Sequence, residues 1–291
     1  PSEGPAAGTG FRRSCLPPML DQPLLLEPLL RLMPLPHTLV RHASVSVERR
    51  LRTMRLADTP MAQGLSASFD DSCKLSIAED MEPAQVPIKL ASQGHRRHYT
   101  GVHITMLSTK GQLNLVLGDD HCRLFIGSDT VVRGGMQLFR RASVFIGDRT
   151  AIGHSRMIVS NADLVIGEDC HLVEDVLLQC NDPHPIVDLS NGELLNGERR
   201  RMYLGRHVLV NRRATLMPGV RIGDGAIVQA AAMVVMDVPP NTLVGGAPAV
   251  VLREQVAWQR EQAPAPAARR PAGAARATPP VAAVKRRPAA G

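Results

Sequence analysis

The stretch "CNDPHPIVDLSNGELLNGERRRMYLG", residues 180–205, brings several residue types capable of chemistry within a few positions of each other. His184 can accept and return a proton near neutrality. Asp182, two residues earlier, could orient that imidazole through its second nitrogen, or make an Asx turn ahead of Pro183. Cys180 is close enough to raise a covalent route through a thiolate. A metal reading would use His184, His171, Cys170 and Cys180, but these spacings match no strong ligand pattern, and no metal is expected. His184 also falls at the repeat position held earlier by Leu124, Val144 and Leu164, so a hydrogen-bonded histidine in a core column competes with the catalytic reading.

The element that must hold these residues is a repeat. Ile-Gly pairs recur every 20 residues, at 126, 146 and 166, with Ile186 where the next would fall. Within each unit, steps of six land on Ile126, Val132 and Leu138, then Ile146, Ile152 and Ile158, then Ile166, Leu172 and Leu178. The steps resume at Leu204, Val210, Leu216, Ile222, Val228 and Val234. A six-residue apolar period suits neither a helix nor a long alternating strand. It suits a parallel β-helix whose short strands each turn one aliphatic side chain inward, so that a coil buries its apolar residue only by stacking on the next. Gly127, Gly147, Gly167, Gly205 and Gly223 follow the inward residues and are expected to supply the positive φ of the corners. "NTLVGGAPAVVLREQVAWQREQ" has a Gly/Pro break and then a helix-compatible run, which predicts a helical cap over residues 251–262.

Composition agrees with thin aliphatic layers: 44% of the 291 residues are hydrophobic but only 3% aromatic, beside 24 glycines and 23 prolines. The formal charge is +7, yet Arg269, Arg270, Arg276, Lys285, Arg286 and Arg287 carry six of those charges in a Pro/Ala/Arg tail at 263–291. The rest of the chain is near neutral, so the tail is read as disordered and no nucleic-acid partner is expected. Five scattered cysteines without a CxxC pair point to a reduced, cytoplasmic protein. The apolar stretch "MLDQPLLLEPLLRLMPLPHTLV" is broken by prolines and charges, which argues against a membrane span. Residues 1–99 read as a weakly ordered leader and 100–250 as the β-helix domain, with a loop at 184–203.

The coil "PGVRIGDGA", the exit "DVPPNTLVGGAP" and the loop "DPHPI" occur in an order and spacing that resembles the hexapeptide-repeat acyltransferases, in particular the sugar and polysaccharide O-acetyltransferase branch, over about residues 111–261. The resemblance implies a left-handed β-helix, a homotrimer, and acetyl-CoA bound as co-substrate between neighbouring subunits. It implies His184 as general base and a saccharide hydroxyl as acceptor. Positions matching the family's donor site are Asn211, Arg212, Ala230, Ala231, Pro248 and Arg253, and Asn161 and Asn181 are candidate acceptor-binding amides. The chain departs from the family pattern where "HVLVN" stands for "HVWIG" and "QAAAMVV" for "GAGSVV". Those departures leave a non-catalytic scaffold open, beside N-acetylation of an amino sugar or small amine.

Overall fold

The structure is a computed structural model that describes residues 51–93, 97–182 and 184–261. The expectations for residues 1–50 and for the basic tail lie outside the described residues.

The described chain is a parallel β-solenoid. Its first face stacks the strands Lys74–Ala78, His103–Met106, Arg123–Ile126, Ser143–Ile146, Ala162–Ile166, Arg200–Leu204 and Arg221–Ile222, which begin coils 1 to 7. Every step between these seven is parallel and in register, as where Leu124, Val144, Leu164 and Met202 pair in turn. In coils 2 to 4 the second and third faces form one continuous strand, Thr109–Leu117, Thr130–Phe139 and Ala151–Ser160. From coil 5 they separate, as in His171–Leu172 and Leu177–Gln179.

The aliphatic columns form one core, with Ile126, Ile146, Ile166, Leu204 and Ile222 stacked in it and buried. One predicted inward residue turns the other way. Ile158 is half-buried and pairs with the outward Gln137 and Gln179, while Met157 and Val159 point in. The cause is a one-residue irregularity between Ile152 and His154, at Gly153, which reverses the side-chain parity of the rest of the strand.

The repeat glycines also act differently from expectation. Positive φ falls two residues later, at Asp129 (53°), Arg149 (56°), Asp169 (56°), His207 (54°) and Gly225 (68°). The glycines are needed for close stacking instead: a Cβ on Gly147 would lie 2.7 Å from the Glu168 nitrogen, and one on Gly167 2.4 Å from the Gly205 oxygen.

Two boundaries are corrected. The solenoid begins within the supposed leader, because Lys74–Ala78 and Ile88–Ser92 stack under coil 2, and Leu51–Arg55 runs antiparallel along the first of them. The helical cap is a strand. After the turn through Gly246 and Pro248, Val250–Arg253 returns antiparallel along Leu243–Gly245, and no helix follows within the described residues of 251–262. The run Val250-Val251-Leu252 favours extended backbone, and an antiparallel return satisfies the edge of the last coil.

Candidate functional site

The residues of the quoted loop leave the solenoid at the corner between the third face of coil 5 and the first face of coil 6. The inward column that His184 would have joined is continued by Met202, which pairs with Leu164. The inserted residues therefore carry His184 out of the core, and its side chain is 88% exposed.

Two sets of contacts shape this excursion. The Asp182 carboxylate accepts the His184 backbone N–H at 3.0 Å, and the same Oδ1 lies 3.3 Å from the imidazole Nδ1. The Asx turn is thus made, and the oxygen that accepts it also stands near the imidazole. Beyond His184 the chain forms a hairpin, with Leu195 N–H donating to Ile186 O at 2.7 Å and Asp188 N–H to Glu193 O at 2.8 Å. Asn196, buried at its base, donates from Nδ2 to His184 O at 2.6 Å and accepts the Ile186 N–H at 2.9 Å. Arg199 fastens the returning leg by donating to Arg141 O at 3.0 Å and pairing with the buried carboxylate of Asp163.

The predicted acceptor amides differ in their contacts, and the buried Nδ2 of Asn181 has no hydrogen-bond partner among the described residues. Asn161, at φ 45°, donates from Nδ2 to Gly197 O at 2.9 Å and so ties the loop to coil 4. Asn181 is buried, and its Oδ1 accepts the Asp182 N–H at 2.9 Å. A groove of about 650 Å³ opens beside His184, lined by Asp182, Ser160, Gln179, Arg156, Arg140, Phe139 and residues of earlier coils.

Most of the predicted donor residues gather on a different corner, between the second and third faces. Asn211 donates from Nδ2 to Val228 O at 2.9 Å, Ala231 N–H donates to Arg212 O at 2.8 Å, and Ala231 has φ 58°. Arg212 lies 3.4 Å from Glu174. Ala230 and Pro248 are exposed at the same corner of the following turns, and Arg253 is on the return strand opposite Leu243. Within one chain, a whole face separates this corner from His184.

The residues that raised covalent and metal chemistry are dispersed. Cys180 is fully buried, its Sγ 4.0 Å from Met202 Sδ, and burial pushes its thiol well above the ordinary range. Cys170 is also buried, pushed up to about 12, and His171 packs edge-on against Trp258. What the sequence reading missed are the supports Asn196, Arg199 and Asp163. Of these only Asp163 left a trace, as one acid inside the apolar run "ADLVI".

No protein-family model matches the sequence. The fold is that of the left-handed β-helix proteins: a solved polySia-specific acetyltransferase superposes with TM-score 0.56 at 24% identity, over 60% of this chain and 82% of that one. In sequence, the chain is 28% identical to the polysialic acid O-acetyltransferase of Escherichia coli O1:K1 / APEC over 136 residues, 46% of this chain and 44% of that protein. It is 27% identical to the galactoside O-acetyltransferase of Escherichia coli (strain K12) over 134 residues, 44% of this chain and 63% of that protein. The polysialic acid O-acetyltransferase of Neisseria meningitidis is 31% identical over 108 residues, 36% of this chain and 50% of that protein. The chain thus matches about half the length of these curated relatives. It has the left-handed β-helix fold and, over part of its length, sequence similarity to these O-acetyltransferases.

Proposed function

We propose that the protein is an O-acetyltransferase that moves an acetyl group from acetyl-CoA to a saccharide hydroxyl, with His184 as general base. The observation that carries this reading is the built excursion at residues 180–199, which holds an exposed imidazole against a carboxylate at the mouth of a groove. The Asp182 oxygen faces Nδ1, which leaves Nε2 for the acceptor. As the hydroxyl oxygen attacks the thioester carbonyl, its proton passes to Nε2; the C–S bond breaks and the departing thiolate takes the proton back. The products are the acetyl ester and the free thiol.

The donor residues sit a face away from His184, so the complete site is formed between neighbouring copies, in keeping with a homotrimer. Leu189, 99% exposed at the hairpin tip, is available to contact a second copy. Among the described residues no helix is long and apolar enough to cross a membrane. The four described cysteines are unbridged, which supports a reducing, cytoplasmic location.

Calorimetry with acetyl-CoA on the wild type and His184→Ala, followed by thiol release with polysialic acid, a galactoside and an amino sugar, tests the reading. Both proteins should bind the donor, and the variant should lose about 10²- to 10⁴-fold in kcat. A folded protein that binds no donor is a scaffold, and the proposal falls.

A further inference from the structure

The groove beside His184 is long. Its wall takes one or more residues from each of five successive coils: Gln93 from coil 1, Asp119 from coil 2, Gln137, Phe139 and Arg140 from coil 3, Arg156 and Ser160 from coil 4, and His184 after coil 5. Adjacent coils of a parallel β-helix stand about 4.8 Å apart, so four such steps span roughly 19 Å along the solenoid axis. That is much longer than one pyranose ring.

Its chemistry also differs from an ordinary solenoid face. Amides and charges of both signs line it, so that each of the five coils presents at least one polar group. Phe139, one of only five phenylalanines in the chain, lies half-buried in the wall. Gly118 leaves room for that ring, since a Cβ there would lie 2.0 Å from Phe139 Cδ1. An aromatic ring flanked by planar amides and ionic groups suits a ligand with one apolar face and a polar rim, as a pyranose has. The irregularity at Gly153 contributes too, because it turns Ile158 out to floor the groove.

We propose that this groove is an extended acceptor site. The reacting hydroxyl lies at His184, and further sugar units of the same strand run down the solenoid past Arg140 and Asp119 to Gln93. The protein then selects an oligosaccharide or polysaccharide strand over a free monosaccharide. This inference rests on the saccharide-acceptor reading above.

Binding without turnover tests it. Two series are titrated into full-length His184→Ala protein: oligosialic acids and linear galacto-oligosaccharides, each from disaccharide to decasaccharide. Affinity in at least one series should rise about tenfold or more with length and then level off. Gln93→Ala, in the same background, should lower decasaccharide affinity about fivefold, the worth of one hydrogen bond, and leave disaccharide affinity unchanged. Affinity independent of length, an equal loss for short and long ligands, or no binding in either series would overturn the extended site. Thiol release by the wild type with monosaccharide acceptors is read separately. Turnover there, together with length-independent binding, would leave acetyl transfer standing and remove only the long groove.

Discussion

The imidazole of His207 and the indole of Trp258 stack at 4.2 Å and 8°, and each residue also bonds to the other's backbone. Trp258 Nε1 donates to His207 O at 2.8 Å, and His207 Nε2 lies 3.0 Å from Trp258 O. Asp169 holds the other ring nitrogen at 2.6 Å. These contacts pin the segment after the return strand to the corner of coils 5 and 6. Trp258→Ala should cost about 3 kcal/mol in denaturant unfolding, the range for truncating a buried aromatic. His207→Asn tolerates the left-handed corner but loses the stack. Because the chain has a single tryptophan, its emission should shift to the red in that variant.

Asn196 links the two strands of the hairpin that follows His184 through His184 O and Ile186 N. Asn196→Ala should therefore misplace the imidazole and lower kcat by about tenfold or more, since small displacements of a base are costly. Donor binding should not change, because the proposed donor residues lie on another corner. A variant of unaltered kcat would show that the loop holds His184 without this amide.

The two kinds of glycine are separable by substitution. At Gly147 a Cβ would meet the Glu168 backbone at 2.7 Å, and Gly147→Ala should lose about 1–3 kcal/mol through overpacking. At Gly135 a Cβ meets nothing within 4 Å, and Gly135→Ala should be neutral or gain up to about 1 kcal/mol from a less flexible unfolded chain. Thermal unfolding of the pair gives opposite or clearly unequal shifts if stacking is what each coil requires.

His103 titrates below its ordinary 6.5, first because burial disfavours the cation and then because Arg123 repels it. The unfolded chain therefore binds the proton more readily than the folded one. The stability contribution is present above the ordinary histidine value and is lost as pH falls through it toward the folded value. Unfolding free energy should drop between about pH 7 and pH 5, and His103→Gln should drop less over the same interval. Parallel curves for the two proteins would remove His103 as the source.

The coils themselves were legible because a buried aliphatic must recur at each side of each turn, and residues such as Ile126, Ile146 and Ile166 have no other way to be covered. The first coil was not legible. Leu75, Ile77, Ile88 and Leu90 are inward, but the connections between their strands break the six-residue count. Parity at Ile158 was equally hidden, since a one-residue irregularity leaves the apolar pattern intact while reversing which residue faces the core. Beyond Leu252 the run to 258 has helix-compatible residues, and the partners offered by Leu243–Gly245 and His207 make the segment a strand and a latch.

For the site, the sequence alone determined that a polar insertion interrupts the repeat and that His184 and Asp182 stand in it, because side-chain periodicity is a local property. Tertiary structure decided where they point and what supports them. Asn196, Arg199 and Asp163 converge across up to 36 positions in the chain, and the groove draws its wall from residues as distant as Gln93 and His184. Stacking at each coil brings such residues into adjacent columns, and no spacing within one coil records which columns will meet.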